Sequence, residues 1–281
     1  MRVVFDVGNV TTVAQGDPAT IASLRGMLSF RARVGRAKTS TLCMGISPPG
    51  LNPTTVRFGT GLLAIVKRVW AEALRVELII HDRRVIPLIP PERYSTAWLR
   101  DYQQEALAAT QVHARGLINH PTGTGKGEIV AALYAQRPVP TIVIVPNEPL
   151  LAQITRTFRA RVGVDATTYG GGFHDISNLT VCTYQALNAA TRFPWERFQQ
   201  VIFDEAHGAA SATCCATLNK LTNAYWRYGL GATNLLRADQ KHYYVIAAFG
   251  PVIHQIKFSE AVTTLKAIAQ PQLIYLPYQH T

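Results

Sequence analysis

The first fourteen residues, MRVVFDVGNVTTVA, alternate apolar and polar positions and are rich in valine, which predicts a strand. Asp17 stands before Pro18, and the apolar residues of DPATIASLRGML then recur at helical spacing, which predicts a helix with an Asp cap. Residues 40–58 hold SPPGLNP, whose prolines and glycine read as a loop. GLLAIVKRVWAEALRVELIIHD predicts a helix followed by a strand at about 76–81. The prolines of VIPLIPPERYS then break the pattern, and a domain boundary is expected near residue 92. Beyond it the alternation is regular. STAWLRDYQQEALAAT and NEPLLAQITRTFRAR read as helices, and PTIVIVP as a fully apolar strand. GLINHPTGTGKGEIVAALYA reads as strand, Gly-rich loop and helix, and LTVCTYQAL as a strand running into a helix. QQVIFDEAH is an apolar strand ending in acids, and AYWRYGLGAT a strand with a Gly-rich end. Strands alternating with helices predict an α/β fold, a mostly parallel sheet covered on both faces. In such sheets ligands sit at the carboxyl ends of the strands, where most of the unusual residues fall.

Composition narrows the function classes. With 281 residues, 48% hydrophobic and 16% charged, the chain has the material for a sizeable core and is not a disordered one. A formal charge of +11 makes a polyanionic partner plausible, nucleic acid first. The charge is uneven: residues 1–99 carry 13 Lys+Arg and 6 Asp+Glu, a net of +7, against +4 for the rest. The densest basic run is Arg31, Arg33, Arg36 and Lys38, which reads equally as phosphate contacts or a solvated loop. The cysteines, Cys43, Cys182, Cys214 and Cys215, show no CxxC spacing, which argues against a zinc knuckle. Cys214 and Cys215 read as filling on a helix. The N-terminus lacks a signal-peptide pattern, and no apolar run approaches the ~20 residues that span a bilayer. The expected location is a reducing cytoplasm, including that of a phage-infected host, with no membrane partner.

Two stretches carry chemistry. In HPTGTGKG the glycines Gly123 and Gly125 let the backbone curl so that N–H groups point at phosphate oxygens, and Lys126 opens the following helix. Alone this is a modest signal. The second is VIFDEAH, where Asp204 and Glu205 stand directly after an apolar strand. Two adjacent carboxylates there are costly unless a cation offsets them, and Mg²⁺ with a triphosphate supplies one.

Together these segments resemble the superfamily-2 helicases of the DEAH/DExH type, in the layout of phage and bacterial DNA-repair and recombination helicases. LRDYQQEAL resembles the adenine-recognition segment, PTGTGKG motif I, VPNEPLLAQ motif Ia, and GGGFHDISNLTVCTYQAL the elements of motif Ib. FDEAH is motif II as written, and GLGAT followed by Arg237 and Asp239 resembles motif III. FGPVIHQIKFSEAV resembles the segment that leaves the first RecA-like domain. The resemblance covers roughly residues 95–281, in order. It implies a RecA-like ATP-binding domain over residues 93–281, preceded by a small basic α/β accessory domain over residues 1–92 that engages DNA. It implies ATP and Mg²⁺ as cofactors. Arg100 and Gln103 would lie at the adenine, and Thr122, Gly123, Thr124, Gly125, Lys126 and Gly127 at the phosphates. Asp204 would hold Mg²⁺ through water, and Glu205 would deprotonate the attacking water. His207 and Thr233 would couple ATP to the nucleic acid, DNA or else RNA. Pro146, Asn147, Gly170, Gly171, Thr183 and Gln185 would grip one strand by its phosphates. Read without the motifs around them, these last six are ordinary turn, strand and helix-start residues.

Three departures from the family pattern stand out. Gly127 replaces the Ser or Thr whose hydroxyl holds Mg²⁺, a gap that water, Thr124 or Glu128 would have to fill. Asn234 follows Thr233 where relatives have proline, and Arg237 comes one residue late. The sequence ends at Thr281, just after the exit segment, so the second RecA-like lobe is expected on another chain, or the sequence is a fragment. Such a lobe would bind nucleotide and DNA but hydrolyse slowly alone. The competing expectation is a catalytically degenerate nucleic-acid-binding module; a different P-loop ATPase is the third.

Overall fold

The computed structural model describes residues 2–34, 38–43, 52–91, 94–232 and 241–269. The first strand region is a hairpin, β1 Arg2–Val7 and β2 Thr11–Gly16, where the alternation predicts one strand. The break is at Gly8–Asn9, where Gly8 N donates to Thr11 O across the turn. Helix α1, Pro18–Met27, starts as expected, with Asp17 Oδ1 accepting from Thr20 N. Next come β3 Ser29–Val34, β4 Lys38–Cys43 and β5 Thr55–Gly59, so the predicted loop is strand at both ends. Strands β3 and β4 pair as a separate ribbon that carries Arg31, Arg33 and Lys38; Arg36 lies outside the described residues. A continuous helical run follows: a 3-10 turn Thr60–Leu62, α2 Leu63–Ile65 and a π-helical turn Val66–Ala71. Strand β6, Glu77–Asp82, completes a sheet of order β5-β2-β1-β6. Alternation decides its packing: Val3, Phe5, Val7, Ala14, Val56 and Phe58 turn one way, onto Ile21 and Leu24 of α1 and Val66 and Trp70 of the helical run.

After an irregular stretch come α3 Asp101–Val112, β7 Arg115–Asn119, α4 Lys126–Gln136, β8 Thr141–Val145 and α5 Glu148–Val162. Then follow β9 Thr167–Gly170, β10 Phe173–His174, β11 Leu179–Thr183, α6 Tyr184–Ala189 and β12 Gln200–Phe203. A 3-10 turn Trp195–Arg197 before β12, another at Ala206–Ala209, α7 Ala212–Asn219, β13 Trp226–Gly231, α8 His242–Phe249, β14 Val252–Gln255 and α9 Phe258–Thr263 complete the described elements. The fourteenth strand and the two-residue β10 have no sequence pattern long enough to predict.

The large sheet has the order β10-β9-β11-β8-β12-β13-β7-β14, and every pair is parallel except the edge pair β9–β10. Every residue of TIVIV in β8 is buried, because helices cover both faces. Val143 and Val145 face a core built with Ala106 of α3, Leu133 of α4 and Ile154 and Phe158 of α5. Ile142 and Ile144 face the other, with Leu187 of α6, Cys214 and Leu218 of α7, and Val245 and Phe249 of α8. Arg227 on β13 is fully buried without a carboxylate partner: it donates to the carbonyls of Leu218, Leu221 and Ala248, around the ends of α7 and α8. Among the described residues no helix is long and apolar enough to cross a membrane.

The two sheets meet along α8. Tyr243, Tyr244, Ile246 and Ala247 pack on the core of the small sheet. Gly59 and Gly61 let the backbones touch there: a Cβ on Gly61 would lie 2.0 Å from Ile246 O. Arg115 Nη2 donates to Asn9 O at 2.7 Å, and Asn9 Nδ2 to Thr222 O at 3.3 Å.

Candidate nucleotide and nucleic-acid site

The phosphate-loop residues lie between β7 and α4. Gly123 and Gly125 have φ of 89° and 76°, a left-handed conformation that side chains resist, so the curl depends on glycine. Lys126 is the first residue of α4, and its ammonium turns into the loop. It is only 9% exposed, yet its nearest partners are His120 O at 3.4 Å and Glu205 Oε1 at 3.5 Å. A buried ammonium with such long contacts, at a helix N-terminus lined by backbone N–H groups, fits an anion.

The acidic pair arrives on the neighbouring side. Strand β12 ends at Phe203, and Asp204 N continues its ladder to Ile144 O. Asp204 is 5% exposed and Glu205 N donates to its Oδ1 at 3.0 Å. Burial, and next the charge of Glu205, push the Asp204 carboxyl above its usual range, so its ionised form is disfavoured there until a cation offsets it. Glu205 sits at φ 53°, costly for a residue with a side chain and tolerated at sites where geometry is over-determined. Its two oxygens are held from opposite sides: Oε1 faces Lys126 and Oε2 lies 3.2 Å from His207 Nδ1. Thr233, the second coupling candidate, lies outside the described residues, as do Asn234, Arg237 and Asp239.

The adenine-segment residues brace the loop. Gln103 Oε1 accepts from Arg100 N at 3.0 Å, and its Nε2 donates to Thr124 O at 2.9 Å and Gly125 O at 3.3 Å. Tyr102 OH donates to Thr124 O, and Arg100 Nη1 reaches the same hydroxyl at 3.3 Å. Both ends of the Gln103 amide are thus engaged inside the protein, a role that the sequence pattern did not reveal. Thr122 is exposed at the loop tip. It lines a cavity of about 420 Å³ with Asn119, Pro121, Ala232, Gln255 and Lys257.

Both side chains that could stand in for the missing hydroxyl are already engaged. Thr124 is buried and its hydroxyl donates to Pro121 O at 2.7 Å. The Glu128 carboxylate accepts Arg161 Nε at 2.8 Å and Nη2 at 3.2 Å. Gly127 itself has room: a Cβ there would lie 3.3 Å from Ile154 Cδ1, the movable end of a side chain. Gly127→Thr is therefore expected to fold and to tighten Mg·ATP binding, with Gly127→Ala unchanged. Titration of a fluorescent ATP analogue with and without Mg²⁺ checks this, and equal affinities for the three proteins would contradict it.

The strand-gripping candidates also converge, at the carboxyl ends of β8, β9 and β11. Pro146 and Asn147 follow β8, and Asn147 Oδ1 caps α5 by accepting from Leu150 N. Thr183 Oγ1 caps α6 by accepting from Ala186 N at 3.3 Å. Gly170 and Gly171 have φ of 129° and 61°, and a Cβ on Gly170 would lie 2.7 Å from Thr183 Oγ1. Gly171 faces Glu148, and Gln185 is exposed. The caps are the structural roles their residue types favour, and Glu148 adds a negative charge beside them.

Known proteins are similar to this chain in sequence or in fold. A family model described as "Type III restriction enzyme, res subunit" matches residues 97–235. The DNA 3'-5' translocase XPB2 of Sulfurisphaera tokodaii is 30% identical over 187 residues, 66% of this chain and 41% of that protein. The DNA 3'-5' helicase XPB of Mycobacterium tuberculosis is 27% identical over 174 residues, 58% of this chain and 31% of that protein. The chain thus spans less than half the length of these relatives. Among solved structures, the UvsW helicase from bacteriophage T4 superposes with a TM-score of 0.72 at 17% identity, covering 90% of this chain and 99% of that one. A second crystal structure of T4 UvsW gives 0.67 at 19% identity, covering 92% and 58%. These two likenesses are to the fold and take in residues of both sheets. With the motifs in order along the sheet, the family match and the relatives, the chain is similar to the first RecA-like lobe of the superfamily-2 helicases.

Proposed function

We propose that this lobe binds Mg·ATP and the phosphate backbone of DNA, as the ATP-binding half of a DEAH-type helicase or translocase. The observation that carries this reading is the approach of Lys126, Asp204 and Glu205 in one buried, left-handed-glycine cradle. The fit to Mg·ATP is good in charge and shape: a weakly partnered ammonium, helix N–H groups, and a carboxyl whose ionisation burial opposes. Lys126 and the amides of the loop would hold the triphosphate, and Asp204 would hold Mg²⁺. Among the described residues no cluster of three or more ligating side chains is present, so the metal would arrive with the nucleotide. Bound Mg·ATP supplies the γ-phosphoryl group and the divalent charge. Lys126 faces Glu205 Oε1 at 3.5 Å. Turning toward phosphate, it would free that oxygen to accept the proton of the attacking water, while His207 keeps Oε2 in place. Thr233 and His207 would link this event to the nucleic acid.

DNA is the proposed polymer because the net charge of +11 favours a polyanion and both named relatives are described as acting on DNA. Pro146, Asn147, Gly170, Gly171, Thr183 and Gln185 would follow one strand, and residues 1–92 would form the accessory domain. The cytoplasm is the proposed location. Efficient hydrolysis and unwinding would need a second RecA-like lobe, whose arginines in this family stabilise charge on the transferring phosphoryl group. The test is ATP hydrolysis with single-stranded DNA, for the chain alone and with such a lobe added as a separate polypeptide. Turnover that rises on addition, and only with DNA, supports the reading. No turnover in any combination, with DNA binding intact, would favour a degenerate binding module.

A further inference from the structure

Beside the phosphate loop, two histidines form a pair that the nucleotide reading does not use. His120, the last residue before Pro121, is fully buried, and its Nε2 lies 2.7 Å from Nδ1 of His254 on β14. The contact is built. Strand β14 pairs with β7 through a bulge, Val252 opposite Leu117 and His254 opposite Ile118, so one extra residue turns His254 toward His120. His120 is also a junction: its N donates to Gly231 O at the end of β13, its carbonyl accepts from Lys126 Nζ, and its ring lies 6.2 Å from that of Tyr102.

The proton positions follow from the partners. His120 Nδ1 is buried without a partner, and a buried lone pair is a cheaper orphan than a buried N–H, so Nε2 carries the His120 ring hydrogen. His120 Nε2–H is then the donor and His254 Nδ1 the acceptor. His254 Nε2 points toward Glu105, with 3.7 Å to Oε2. Burial, then the charges of His254 and Lys126, push the His120 ring down to about 3, so it stays neutral.

We propose that His254 is a positioning residue for the phosphate loop: as an acceptor through Nδ1 it ties the exit strand to His120, and through His120 to Lys126. The groups facing the pair are Glu105 and Tyr102 from α3 and Lys126 from α4. This rests on the proposed nucleotide site.

Mg·ATP affinity, measured on the full chain at pH 8, tests it with two variants. His254→Leu removes the acceptor and binds about fivefold more weakly than the wild type, the lower end of coupling between sites. His254→Asn presents an amide oxygen near the place of Nδ1 and restores the wild-type affinity. Wild-type affinity in His254→Leu, or a loss in His254→Asn as large as in His254→Leu, overturns the proposal. In nucleotide-free protein labelled with ¹⁵N-histidine, a nitrogen–nitrogen coupling across the hydrogen bond should be visible. Its absence sinks the tie alone, whereas a wild type that binds no ATP sinks the nucleotide reading and with it this role.

Discussion

Glu205→Gln leaves Mg·ATP binding in place and lowers ATP turnover by about 10²–10⁴-fold, the usual contribution of a positioned acid or base. The site explains both halves. Glutamine has the same shape, so it can occupy the same left-handed position at φ 53° and keep the contact to His207. It cannot take a proton from water. It also weakens the attraction between Lys126 and Oε1 by removing the negative charge, so the ammonium is if anything freer to meet phosphate. Phosphate release in the presence of DNA and a second lobe measures the rate, and a fluorescent ATP analogue measures binding. Turnover equal to the wild type would remove Glu205 from the chemistry. Loss of binding together with turnover would mean that the residue holds the loop instead.

Gly61→Ala is expected to be the most damaging single-carbon change in the interface between the two sheets. The new Cβ would stand 2.0 Å from Ile246 O, 2.7 Å from Gly250 N and 2.8 Å from Ala247 O. All three are backbone atoms of α8 or its end, so no side chain can rotate away, and one sheet must shift against the other. Overpacking of this kind costs about 1–3 kcal/mol when the surroundings relax, and more when they do not. Gly26→Ala is the control. It lies on α1, where a Cβ meets nothing within 4 Å, and it should be neutral or stabilising by about 0.5–1 kcal/mol. Thermal unfolding of both variants decides the matter: Gly61→Ala should melt several degrees lower, roughly 2–4 °C for each kcal/mol. Equal midpoints for the two variants would mean that the backbones do not meet as described.

The large sheet was legible because its chemistry leaves two kinds of trace. Strands covered on both faces read as unbroken apolar runs, TIVIV and VIF, and glycines forced to positive φ stand at Gly123 and Gly125. The small sheet was less legible. Gly8–Asn9 interrupts a valine-rich run that alternation alone cannot divide, and β3 and β4 carry mixed residues that propensity does not rank. The segments of the candidate site were legible as motifs, and the contacts between them were not. Nothing local shows that both ends of the Gln103 amide are used inside the protein, or that Arg161 holds Glu128 from 33 positions away. His254 is the clearest case. Its meaning comes from a bulge in strand pairing, which no spacing in the sequence encodes. Asn147 and Thr183, by contrast, cap helices as their residue types alone suggest.

The central claim is that the loop from Pro121 to Lys126 holds the phosphates of ATP. Equilibrium binding of a fluorescent ATP analogue to the wild type and to Lys126→Ala, with Mg²⁺ present, tests it most directly. The account predicts saturable binding by the wild type and a loss of at least about tenfold in Lys126→Ala, since hydrogen bonds to charged groups contribute ≈ 1.5–3 kcal/mol. Equal binding by the two proteins, or none by a folded wild type, would contradict it.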